Sequence, residues 1–86
     1  MNLNTSMKVK VVAFGIAREI CGARTFEVEV PTNCDTDALK QLLEIQYPRF
    51  HLLAPFQLAV NEAYVVENIL LASGDEIAIL PPVSGG

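Results

Sequence analysis

The sequence predicts an α+β domain in which one main helix lies on one face of a mixed sheet. Three features of the chain predict it. Period-two alternation of apolar and polar residues marks separate segments near both ends, 7–14, 25–30 and 76–80. A single stretch, 36–46, carries its apolar residues at helical spacing. No second full-length amphipathic stretch accompanies it. The 86 residues suffice for one domain and leave no room for another. With 51% hydrophobic and 19% charged residues, the chain is too apolar to remain disordered.

Met1 to Ser6 is polar and unpatterned, and is expected to be a disordered extension ahead of a domain spanning residues 7–80. The first strand runs from Met7 to Phe14, where Gly15 breaks it. Ile16 to Cys21 then forms a short helical turn stopped by Gly22. In the second strand Phe26, Val28 and Val30 face one way, and Thr25, Glu27 and Glu29 the other. Pro31 ends it. The two strands are close enough in sequence to pair antiparallel.

Asp35 or Thr36 caps the helix, which continues to Gln46, with Pro48 fixing its end. Ala38, Leu39, Leu42, Leu43 and Ile45 fall on one arc, and Asp37, Lys40, Gln41 and Glu44 on the opposite one. Phe50 to Pro55 reads as a loop. Strands follow at Gln57 to Val60 and Tyr64 to Val66, with Asn61-Glu62 turning between them. After a turn at Ser73-Gly74-Asp75, Glu76 to Leu80 is the last strand, with Ile77 and Ile79 inward. Pro81-Pro82 ends it, since neither proline can donate to a ladder. The element order suits a ubiquitin-like β-grasp, because a ferredoxin-like fold would need a second full helix.

The composition also excludes functions. Six basic residues against ten acidic ones, with no Trp, speak against nucleic-acid binding, which needs a basic stripe. Cys21 and Cys34 are too few for a disulfide scaffold and too far apart for a CxxC pair. His51 is the one histidine, so a zinc site lacks ligands and no metal is expected. No apolar run approaches the length of a membrane span. A cytoplasmic protein without membrane contact is the expectation.

The unusual feature is the end of the chain, Pro81-Pro82-Val83-Ser84-Gly85-Gly86. At a usage of about 7% glycine, two terminal glycines arise by chance in about 0.5% of chains. Pro81-Pro82 stiffens the exit from the sheet. The segment after Leu80 spans about 20 Å when extended, enough to reach the bottom of another protein's pocket. Gly85 and Gly86 make the tip as narrow as a polypeptide can be. This geometry suits chemistry on the terminal carboxylate, which is a poor electrophile until activated, for instance as an acyl-adenylate made from ATP. A sulfur nucleophile could then convert it to a thiocarboxylate. No acid, base or nucleophile pair can be assembled elsewhere in the chain.

One sheet face adds a second clue. If the helix covers the face carrying Val9, Val11, Ala13, Ile77 and Ile79, then Val12, Phe14, Ala78 and Leu80 point away, with Tyr64 beside them. Apolar residues on an uncovered face beside a reaching tail form a docking patch, unless the segment after Pro48 folds back over them.

Gly74-Asp75-Glu76-Ile77-Ala78-Ile79-Leu80 followed by Pro81-Pro82-Val83-Ser84-Gly85-Gly86 resembles the C-terminal signature of the small, sulfur-carrying subunits of molybdopterin synthase. Phe14, Arg18-Glu19, Gly22 and Asn61 resemble further positions of that family, and the likeness covers residues 7–86. It implies a β-grasp sulfur carrier that binds no cofactor itself. An adenylating partner would activate Gly86 with ATP, and a sulfur donor would convert it to a thiocarboxylate. The tail, Pro81 to Gly85, would enter the large synthase subunit, typically in a heterotetramer. There the sulfur would pass to cyclic pyranopterin monophosphate. Phe14, Tyr64 and Leu80 match positions of the family's partner interface. The alternatives are a sulfur carrier for thiamine synthesis or tRNA thiolation, and a plain β-grasp interaction module with an incidental tail.

Overall fold

The computed structural model describes residues 6–53 and 56–80. The elements are strand β1 (Ser6–Ala13), helix α1 (Ile16–Cys21), β2 (Thr25–Pro31), helix α2 (Thr36–Gln46), a 3-10 segment (Pro48–Leu53), β3 (Gln57–Val60), β4 (Ala63–Tyr64) and β5 (Glu76–Leu80). They form one five-stranded sheet in the order β2-β1-β5-β3-β4. β1 pairs antiparallel with β2 and parallel with β5, while β3 is antiparallel to both β5 and β4. A mixed sheet crossed by one main helix is the β-grasp arrangement predicted.

The alternation read from the sequence places the core. Val9, Val11 and Ala13 of β1, Val28 and Val30 of β2, Leu58 and Val60 of β3, and Ile77 and Ile79 of β5 are all buried on one face. Leu39 and Leu43 of α2 close over them and are wholly buried. Their burial is worth about 1.5–3 kcal/mol per large aliphatic side chain, which is how so short a chain sustains a core.

Local chemistry sets the element ends. α1 stops because Gly22 adopts φ 78° and donates its N–H to the Arg18 carbonyl at 2.9 Å, a conformation that costs other residues more. α2 starts because the Asp35 carboxylate accepts the Ala38 N–H at 2.8 Å. The tight turn from β3 to β4 holds Asn61 and Glu62 at φ 50° and 74°, as a two-residue hairpin twisted with its strands requires.

Four expectations need correction. Ser6, assigned to the extension, is the first residue of β1: it pairs with Pro31 and its hydroxyl donates to Glu29 at 2.6 Å. Only part of the apolar arc of α2 meets the sheet. Thr36, Leu39 and Leu43 are buried, whereas Ala38 is exposed and Ile45 is 79% exposed. The arc is wider than the contact one helix can make with a sheet, so its far side is left over. The segment after Pro48 is not an open loop: a 3-10 turn carries Phe50 into the core, 5.3 Å from the Phe56 ring and 5.8 Å from Tyr47. β4 ends at Tyr64 rather than Val66, because the chain must leave the sheet there to reach the start of α2.

That departure is tied down by a polar clasp. Asn68 Oδ1 accepts from the Thr36 hydroxyl at 3.0 Å and from the Asp37 N–H at 2.9 Å, and its Nδ2 donates to Asp35 at 3.0 Å. The Thr36 hydroxyl in turn accepts the Ile69 N–H at 3.1 Å. Thr36 is 2% exposed, the one buried polar residue among those described, and its hydroxyl both donates and accepts a hydrogen bond. The Ala38 N–H first, then Asn68, holds the Asp35 carboxyl below its ordinary value.

Candidate functional site

The uncovered sheet face is built by register. β1 and β5 run parallel, so their C-terminal ends meet at the same end of the sheet, with Val12 opposite Ala78 and Ala13 opposite Ile79. Ala78 is opposite Ala59, and Ala59 opposite Tyr64. Cross-strand partners share a face, so Tyr64, Ala59, Ala78 and Val12 form one apolar row across four strands. Phe14 follows β1, and Leu80 lies opposite Gln57 one step beyond Ala78. Phe14 is 41% and Tyr64 71% exposed, Leu80 and Ala78 are half-buried, and Val12 and Ala59 lie buried beneath them. Towards the other end the same face turns ionic, with Lys10 between Glu76 and Glu27, and Lys8 opposite Glu29.

Phe14, Tyr64 and Leu80, singled out from the sequence, therefore lie on one face. Leu80 is where β5 ends and the segment 81–86 departs. The 3-10 turn does not cover this patch: it carries Phe50 into the core on the opposite side of the sheet. Pro81, Pro82, Val83, Ser84, Gly85 and Gly86 lie outside the described residues. The structure adds two residues that sequence reasoning missed. Ala59 joins the row only through register, because Leu58-Ala59-Val60 is apolar throughout and hides its alternation. Glu62, from the β3–β4 turn, lines a 150 Å³ hollow with Val12, Phe14, Glu76 and Ala78, giving the patch an acidic border. Asn61 holds that turn in place, since its side chain accepts the Glu76 N–H and donates to Asp75, both at 3.0 Å.

Burial pushes the Cys21 and Cys34 thiols up, and Asp35 raises Cys34 further, so neither supplies a ready thiolate at neutral pH. His51 sits exposed on the 3-10 turn. No cluster of three His, Cys, Asp or Glu side chains suited to a metal occurs among the described residues, and none of their helices is long and apolar enough to cross a membrane.

A family model described as "ThiS family" matches residues 11–86. The chain belongs to the ThiS family. Among its relatives, the molybdopterin synthase sulfur carrier subunit of Mycobacterium tuberculosis is 38% identical over 82 residues, covering 93% of this chain and 99% of the relative. The subunit of the same description from Arabidopsis thaliana is 31% identical, covering 95% and 86%. Among solved structures, the complex of subunits 1 and 2 of the molybdopterin-converting factor of Helicobacter pylori contains a chain superposing with a TM-score of 0.65. That chain is 28% identical, over 93% of this chain and all of the other. The family resemblance read from the terminal motif is thus shown over nearly the full length.

Proposed function

We propose that this ThiS-family chain is the sulfur carrier of a molybdopterin synthase, with Gly86 as the residue that bears the sulfur. The observation that carries the reading is the placement of the apolar patch at the end of the sheet where β5 gives way to the Gly-Gly segment. A partner that covers Phe14, Tyr64 and Leu80 is then positioned to receive the tail. The relatives' description and the two-subunit complex from Helicobacter pylori support a large synthase subunit as that partner.

In this reading a separate enzyme joins the Gly86 carboxylate to the α-phosphorus of ATP and releases pyrophosphate. The acyl-adenylate makes the carbonyl carbon electrophilic. Sulfide-level sulfur attacks that carbon, the new C–S bond replaces the C–O bond to the adenylate, AMP leaves with that oxygen, and a thiocarboxylate remains. Pro81 to Gly85 then thread the tip into the large subunit, two of each subunit forming the assembly. There the sulfur passes to cyclic pyranopterin monophosphate. The carrier contributes reach, a narrow tip and the docking face, and no acid–base group of its own.

Intact mass spectrometry tests this. Incubation with the activating enzyme, ATP and a sulfur donor should add about 16 Da, oxygen replaced by sulfur, and fragmentation should place the change on Gly86. The sulfur-loaded chain should then yield molybdopterin with a large synthase subunit. An unchanged mass, or a loaded chain that serves only thiamine or tRNA thiolation enzymes, would overturn the proposal.

A further inference from the structure

The groove between α2 and the free edge of the sheet is a second surface, separate from the apolar patch. β2 is one of the two terminal strands in the sheet order, and its outer side pairs with nothing among the described residues. Ala13 donates its N–H to the Arg24 carbonyl at 2.8 Å, one step beyond the Val12–Thr25 pair. Hydrogen-bonded pairs alternate along an antiparallel ladder, so Phe26, Val28 and Val30 turn their backbone groups towards β1. The N–H and C=O groups of Thr25, Glu27 and Glu29 point outward. Directly beside this edge, Val28, Ala38, Leu42 and Ile45, with Glu27 and Glu29, line an open groove of 580 Å³. Ile45 is the leftover side of the helix arc, 79% exposed.

We infer that this edge and groove bind an extended protein segment as an added strand, one in which basic and aliphatic residues alternate. Residues placed opposite each other in a sheet share a face. On the uncovered face the row runs Glu76, Lys10, Glu27 and then stops at the open edge, and the neighbouring row stops at Glu29. Continuing both rows requires cations. On the helix side, the position opposite Val28 faces Leu42 and Ile45 and requires an aliphatic residue. β1 shows the chemistry on the opposite side of β2: it reads Lys8-Val9-Lys10-Val11, with Lys8 opposite Glu29 and Lys10 opposite Glu27. A second copy of this chain is a poor occupant, because two β2 edges would bring glutamates together. None of the groove residues belongs to the patch around Phe14 and Ala78, so both surfaces can be occupied at once.

The test uses the full chain, ¹⁵N-labelled, and the peptide acetyl-Lys-Val-Lys-Val-Lys-Val-Lys-amide, with a scrambled peptide of the same composition. Saturable shifts and slowed amide exchange are expected at Thr25, Glu27 and Glu29 with the alternating peptide. Ile45→Glu should weaken binding about tenfold. Glu27→Gln with Glu29→Gln, which sets no like charges opposite Lys8 and Lys10, should weaken it about fivefold or more. All these side chains are exposed enough for the variants to keep the wild-type amide spectrum outside the groove, which the same spectra verify. Equal affinity for the scrambled peptide, shifts centred on Phe14 and Ala78, absence of saturation, or peptide-free concentration dependence of the same amides would each overturn the inference.

Discussion

Replacing Phe14 by Ala tests directly whether the uncovered face is the docking surface. Phe14 is 41% exposed, and a phenylalanine side chain presents about 200 Å² when free, so about 80 Å² stands ready to be covered. At about 25 cal/mol per Å² its loss removes about 2 kcal/mol of binding, a weakening of about 30-fold. The other three-fifths of the side chain, about 120 Å², is already covered, so by the same rate the fold loses up to about 3 kcal/mol, and a urea titration checks that the variant stays folded. Isothermal titration calorimetry of the full chain against a large synthase subunit measures the change. Val66→Ala is the control, because Val66 is 91% exposed and outside the patch, and it should bind as the wild type does. If Phe14→Ala binds within about twofold of wild type while its circular dichroism is unchanged, the uncovered face is not the docking surface.

Three further outcomes follow from the packing. Thr36→Val removes the hydroxyl that donates to Asn68 and accepts from Ile69 at a site 2% exposed, and should destabilise the fold by about 1–3 kcal/mol in urea titrations. Phe50→Ala empties a wholly buried site between Tyr47 and Phe56. A cost of about 3–5 kcal/mol is expected, enough to lower the thermal midpoint by well over 10 °C. The Asp35 carboxyl is held low by the Ala38 N–H and Asn68, so its stabilising effect is complete above the unfolded carboxylate value and fades as pH falls through the folded one. The stability difference between wild type and Asp35→Asn should therefore be constant near neutrality and shrink only in strong acid, as paired acid titrations will show.

The strands of this protein were legible wherever one face is buried and the other wet, because that contrast writes a period of two into the chain. Phe26, Val28 and Val30 against Thr25, Glu27 and Glu29 is such a case. The helix ends were legible too, through Asp35 and Pro48. What misled was surplus apolar character. Ile45 reads as core by its arc yet is exposed, and Phe50 sits in a proline-flanked stretch that reads as loop yet is buried. Neither answer is local: each depends on how much of the helix the sheet can reach and on what fills the gap beside it.

The amino-acid sequence by itself determined that this is a small α+β domain with one core, an acidic surface and a Gly-Gly end that resembles a sulfur carrier's. These are properties of residue type, order and period, and they hold before any long-range contact is made. Only the tertiary structure decided which residues share the uncovered face. Tyr64, Ala59, Ala78 and Val12 come from four strands scattered over more than fifty residues, and the parallel pairing of β1 with β5 brings them into one row beside Phe14 and Leu80. Strand register is settled by which faces bury together, a cooperative choice of the whole sheet that no single segment encodes.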